Sequence, residues 1–270
     1  MAVSNFFAGC LGKDRKEHKG ISGTLFKTSK LGQDVRVYRC CFASDSQLVL
    51  SQLGLNGRSI YLCNTDGTQS ESIRFDFFPL QIVLYDSSTA LLSSGLDFIQ
   101  IINLSNMTPG NRIKVDKECY GMGCKDGKIW INSDKNTLTA IDISGNILTK
   151  ITTTFDPMDI SVHPSGDVYC TDISREPIYA VSPEGNERLV YRNPDLKGTE
   201  GIAIDKGGYI YVASKYANTI HRISSDGVDY NVILTEEDGI KDPTGLAFNE
   251  DTNELMVIND DGYSVLSYKA

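Results

Sequence analysis

The chain has 270 residues, a net charge of −9 and a pI near 4.9, with 40% hydrophobic and 23% charged residues. That composition supports a large buried core and excludes a disordered chain. The acidic balance argues against a whole-surface affinity for nucleic acid or anionic membrane, and no run approaches the roughly 18 apolar residues of a membrane helix.

Residues 1–22 read as an N-terminal tail. The apolar run 6–11 is short and is followed by basic residues, unlike a signal-peptide core. Residues 23–30 then read as a strand. The seven cysteines, Cys10, Cys40, Cys41, Cys63, Cys119, Cys124 and Cys170, form no CxxC pair. They read as a reduced set, so a cytoplasmic location is expected.

From Cys40 onward the chain repeats itself. Short apolar runs flank a first turn at Asp45-Ser46, Ser87-Ser88, Asp126-Gly127, Ser165-Gly166, Gly207-Gly208 and Asp251-Thr252, spaced 39 to 45 residues apart. A second turn recurs at Asp66-Gly67, Ser105-Asn106, Ser144-Gly145, Glu184-Gly185 and Asp226-Gly227, spaced 39 to 42 apart. Alternating runs bounded by turn residues are hairpins. Four short strands at a period near 40 define a propeller blade.

The prediction is an all-β, six-bladed β-propeller with four antiparallel strands per blade. Its blades fall at about 40–76, 77–116, 117–152, 153–195, 196–238 and 239–270, making residues 23–270 a single domain. Blade five is the clearest, with strands at 201–204, 209–213, 219–224 and 230–234. The sixth repeat lacks a fourth strand. Residues 23–30 are predicted to supply it and close the ring, because an open edge invites aggregation. The isolated Gly121-Met122-Gly123 reads as close packing at the ring centre, and His221 as a partly buried strand residue rather than a catalytic base.

Cys119-Tyr120-Gly121 with Asp126-Gly127-Lys128, Asp156-Pro157 with Asp167-Val168-Tyr169, Glu200-Gly201-Ile202, and Asn218-Thr219-Ile220-His221 with Ser225-Asp226-Gly227 resemble NHL-type repeats. The likeness is to the C-terminal propeller of invertebrate TRIM-like (tripartite motif) proteins. It implies a substrate- or partner-recognition module of a ubiquitin ligase. Ligase chemistry would need a zinc-bearing RING or B-box, and the first forty residues offer only Cys10, Cys40 and His18 as ligands.

No GxSxG elbow, Walker loop or HExxH is present, so the chain is expected to be a non-catalytic protein-interaction module without cofactor or metal. The expected partner-binding face carries the loops between second and third strands and the approaches to the first strands. It collects Arg58, Tyr120, Lys135, Arg175, Lys215, Tyr216 and Tyr263, residue types that anchor interfaces. One alternative is RNA binding on the basic residues of that face. A second is a calcium-dependent, lactonase-like propeller hydrolase, with Asp156, Asp159, Glu200, Asp242 and Asn249 as candidate oxygen ligands.

Overall fold

A computed structural model describes residues 24–54, 57–174 and 176–269. Among the described residues, twenty-four strands form six four-stranded antiparallel sheets, and the helical elements are short 3-10 turns. Blade one is β2 (Arg36–Ser44), β3 (Gln47–Leu53), β4 (Ser59–Asn64) and β5 (Glu71–Arg74). Blade two is β6 (Ile82–Asp86), β7 (Thr89–Ser93), β8 (Phe98–Asn103) and β9 (Thr108–Lys114); blade three is β10 (Met122–Lys125), β11 (Lys128–Asp134), β12 (Thr137–Ile141) and β13 (Ile147–Thr152). Blade four is β14 (Pro157–Val162), β15 (Val168–Asp172), β16 (Ile178–Val181) and β17 (Glu187–Tyr191); blade five is β18 (Thr199–Ile204), β19 (Ile210–Ser214), β20 (Thr219–Ile223) and β21 (Tyr230–Leu234).

Blade six contains β22 (Gly245–Asn249), β23 (Glu254–Asn259) and β24 (Ser264–Lys269), and its outer strand is β1 (Thr24–Lys27). The first and last described strands therefore pair in one sheet, with Thr24 opposite Ser267 and Lys27 opposite Ser264. The closing strand is shorter than residues 23–30. Thr28 turns the chain inward by donating its N–H to the Tyr263 carbonyl and its hydroxyl to the Val35 carbonyl, and Thr28–Lys30 form a 3-10 turn. The expected tail, residues 1–22, lies outside the described residues.

The turn markers are sharp because the backbone there needs a left-handed residue. Asp126 and Gly127 both have positive φ, 50° and 73°, which gives the tight two-residue hairpin its twist. Between blades, the inner strands come so close that side chains are excluded. A Cβ on Gly121 would lie 1.8 Å from the Met158 carbonyl oxygen, which is why glycine stands there. The apolar core is divided into six clusters, each shared by two neighbouring blades. The cluster between blades six and one joins Phe26 to Val37, Leu50 and Met256, so the ring is closed by packing as well as by strand pairing.

Candidate functional site: an axial ion pair at the propeller mouth

A repeated local device sets the innermost residues. In each of the first four blades, one N–H in the inner strand or just before it is held by a side chain of the second strand. Arg39 donates to Ser51 Oγ at 3.1 Å, Gln81 to Ser93 Oγ at 2.9 Å, Gly121 to Asn132 Oδ1 at 2.8 Å and Asp159 to Thr171 Oγ1 at 3.0 Å. Several of the same side chains reach the next blade. Ser51 donates to the Leu80 carbonyl, Ser93 to that of Tyr120 and Asn132 to that of Pro157. The pairings of Ile202 with Val212 and of Gly245 with Ile258 place Gly201 and Gly245 at the same level in blades five and six. The innermost row therefore reads Arg39, Gln81, Gly121, Asp159, Gly201, Gly245.

Blades one and four face each other across a six-membered ring, so an interaction between Arg39 and Asp159 crosses the axis. Arg39 Nε lies 3.8 Å from Asp159 Oδ2, and Arg39 Nη2 lies 3.9 Å from Glu200 Oε2. Both separations exceed direct hydrogen-bond length. Nη1 donates to the Thr244 carbonyl at 2.6 Å and to that of Tyr38 at 3.3 Å, and Nη2 donates to the Glu200 carbonyl at 3.4 Å. The guanidinium also stacks 4.0 Å from the centre of the Tyr38 ring. Arg39, Asp159, Glu200 and Thr244 are only 5%, 5%, 7% and 4% exposed. The Thr244 hydroxyl is buried with no hydrogen-bond partner.

Asp159 is fixed by the N–H groups of Ile160 and Ile202, each donating at 3.1 Å. Burial pushes its carboxyl pKa up, against the opposing pull of Arg39 and the two amides. Burial works the other way on Arg39, but Tyr38, Asp159 and Glu200 hold its pKa above the ordinary arginine value. The result is a fixed cation beside a carboxylate whose proton affinity exceeds that of a surface aspartate.

These groups floor a cavity of about 400 Å³, lined higher up by Tyr120, Met158, Arg36, Lys215 and Asp261. At the rim, Lys215 Nζ donates to Asp261 Oδ1 at 2.8 Å, and the Arg36 guanidinium bonds the same carboxylate. Burial would raise the Asp261 pKa, yet these two cations hold it below the usual carboxylate range. A neighbouring groove of about 870 Å³ over blades three and four shares Tyr120 and Met158 with the axial cavity and adds Lys135, Asp156 and Ile173.

The residues expected on the loop face are thus divided. Tyr120 and Lys215 line the axial cavity, and Tyr120 and Lys135 the groove. Arg58 stacks on Phe78 at 4.9 Å and donates to the Asp76 carbonyl. Tyr216, 65% exposed, packs over Gly198, and Tyr263 lies beside Arg36 at 5.9 Å. Arg175 lies outside the described residues. Sequence reasoning missed Arg39. Its only signal was an ionisable side chain inside the inner-strand run Val37-Tyr38-Arg39-Cys40-Cys41.

The donor set does not fit a calcium ion. Of the five candidate ligands, only Asp159 and Glu200 reach the axis, and Arg39 stands against both. Asp156 lines the groove. Asp242 opens a turn with φ +42°, and Asn249 bonds the N–H groups of Asp251 and Thr252 in a hairpin turn. Among the described residues no three His, Cys, Asp or Glu side chains gather as metal ligands. All six described cysteines are free thiols, and no described helix is long and apolar enough to cross a membrane.

No family model and no curated protein matches the sequence. Solved structures with the same fold are numerous. Virginiamycin B lyase from Staphylococcus aureus is 12% identical with a TM-score of 0.64, over 93% of this chain and 100% of that one. A propeller assigned as a gluconolactonase is 13% identical with a TM-score of 0.71, over 92% of each chain. The calcium-binding protein regucalcin from Agrobacterium tumefaciens is 16% identical with a TM-score of 0.65, over 87% of this chain and 91% of that one. At these identities the likeness shows the fold, a six-bladed propeller with neighbours among lactonase- and lyase-type proteins. Of the expected TRIM-like NHL resemblance, the six-bladed propeller fold is what these comparisons support.

The comparisons also correct the expectation that the chain is no enzyme. Propellers of this form include enzymes, so a lack of contiguous catalytic motifs does not mark a non-catalytic module. The physical reason lies in the architecture. A propeller builds its mouth from inner strands spaced about 40 residues apart, so no short motif records the site.

Proposed function

We propose that the chain is a propeller enzyme that opens a small, neutral ester or lactone in its axial cavity. The observation that carries this reading is the Arg39–Asp159 pair across the axis, buried at the floor of a cavity of ligand size. The cavity lining holds three cations (Arg36, Arg39, Lys215) and three carboxylates (Asp159, Glu200, Asp261), a balance that suits an uncharged polar substrate.

In this reading Asp159 takes a proton from water as the water oxygen attacks the carbonyl carbon. The negative charge that develops on the carbonyl oxygen faces the Arg39 guanidinium, whose nitrogens stand 3.8 and 3.9 Å from the carboxylate oxygens of Asp159 and Glu200, too far for direct bonds to them. A fixed cation in a water-poor site stabilises such charge strongly. The acyl–oxygen bond then breaks, and the proton on Asp159 passes to the leaving alkoxide. The names of the similar propellers, a lyase and a gluconolactonase, support bond-cleaving chemistry on small molecules in this fold.

The test is ring opening of a panel of neutral lactones and cyclic esters by wild type and Asp159→Asn. The substitution is expected to lower turnover roughly 10²–10⁴-fold with the melting temperature retained. Equal turnover by the two proteins would remove Asp159 from the chemistry.

A second reading keeps the partner-recognition face of the TRIM-like resemblance. It is favoured by Tyr120, Tyr216 and Tyr263, all at least 45% exposed around the mouth. Phosphate recognition is less favoured, because Arg36, Lys117, Lys215 and Lys241 each already face a carboxylate.

A further inference from the structure

Five oxygens from four blades converge on the Arg39 guanidinium. They are the carbonyls of Tyr38, Glu200 and Thr244, 2.6 to 3.4 Å from its nitrogens, and the carboxylates of Asp159 and Glu200 at 3.8 and 3.9 Å. Carbonyls mixed with carboxylates are the ligands of a hard divalent cation. Here a guanidinium stands among them. Gly121, Gly201 and Gly245 add no side chain to the innermost row, each standing where a Cβ would meet the backbone of the next blade. The remaining cations of the cavity, Arg36 and Lys215, are engaged with Asp261 at the rim.

We infer that Arg39 is the built-in cation of this site: its guanidinium fills an oxygen cage that would otherwise hold a divalent metal of the calcium type. The physical argument is one of charge. Without the guanidinium, two buried carboxylates and three carbonyl oxygens would face one another with no cation among them, a costly arrangement. A small oxygen-seeking cation is the natural replacement, with the Thr244 hydroxyl, which has no partner in the protein, as a further oxygen beside the cage. The tethered charge makes the site independent of metal supply and fixes its position by covalent attachment to β2. This inference rests on the cage and not on the ester-opening reading, and its test needs no substrate.

Terbium(III) serves as the probe, because Tyr38 lies against the guanidinium and would sensitise terbium luminescence from within the cage. Wild type is expected to show no calcium-displaceable luminescence. Arg39→Ala is expected to gain it, with terbium bound at least about tenfold more tightly than by wild type and a melting temperature that rises with millimolar calcium. Adding Asp159→Asn to Arg39→Ala should abolish the gain, which places the ion at the axis. The inference is overturned if Arg39→Ala binds terbium no better than wild type, or if the double variant keeps the gain. Stoichiometric calcium binding at the axis of wild type would overturn it equally. Should Arg39→Ala be recovered only unfolded, refolding that depends on calcium supports the cage, and refolding indifferent to calcium refutes it.

Discussion

At Asp159 two influences compete for one proton. Burial favours the neutral acid, while Arg39 and the amides of Ile160 and Ile202 favour the carboxylate, and burial prevails. If the carboxylate is the base, kcat/KM should rise with pH through a value above the ordinary aspartate range. Arg39→Gln removes a charge that lowers the Asp159 pKa, so the acidic limb should move to still higher pH. A limb that stays in place would show that the titrating group lies elsewhere. His221 provides a stability counterpart with the opposite sign. It is buried between Thr219 and Tyr191, and burial pushes its pKa from 6.5 down to about 4. The folded state therefore holds the neutral ring while the unfolded chain takes up a proton. Stability is fully present above about pH 6.5 and falls as pH drops toward 4, by roughly 3 kcal/mol in all. Urea titrations of wild type and His221→Gln across that window should show the slope in the first protein and its loss in the second.

Among elements, β1 carries the most consequence for its length. Its Phe26 is almost wholly buried between blades six and one, against the backbone of Gly67. Phe26→Ala removes that contact and leaves a cavity at the seam, so a loss of about 3–5 kcal/mol is expected in denaturant unfolding. A loss under about 1 kcal/mol would mean that strand pairing alone closes the ring. The closing strand was legible in the sequence because a sixth repeat visibly lacked its fourth strand and residues 23–30 had strand character. Its early end at Lys27 was not legible, since the turn depends on Thr28 meeting Val35 and Tyr263 in space. The same distinction separates fold from site. Turn residues such as Asp126-Gly127 record their backbone demand locally, so the blade period could be read directly. Arg39 and Asp159 are 120 positions apart, and only ring closure with six blades makes them opposite neighbours. Tyr120 and Lys215 could be placed at one end of their blades because the segments that bear them follow the blade period, and both line the axial cavity.

For the whole molecule the question is whether six similar sheets unfold as one body. Linear repeat arrays contact only their neighbours, so they can lose one end while the rest persists. This chain differs in two respects. Its first strand is paired to its last, and Arg39 of blade one bonds or faces groups of blades four, five and six across the axis. Opening the seam should therefore be felt on the far side of the ring. The sequence supplies a reporter for this, because its single tryptophan, Trp130, is buried in the cluster between blades three and four, diametrically opposite the seam. In Phe26→Ala the Trp130 fluorescence transition should move to lower denaturant together with the far-ultraviolet circular dichroism, and by the same amount. A Trp130 transition that stays at its wild-type midpoint while the dichroism splits into two steps would show that the blades next to the seam melt alone. Coincident movement would establish the closed ring as the cooperative unit that holds the axial pair in place.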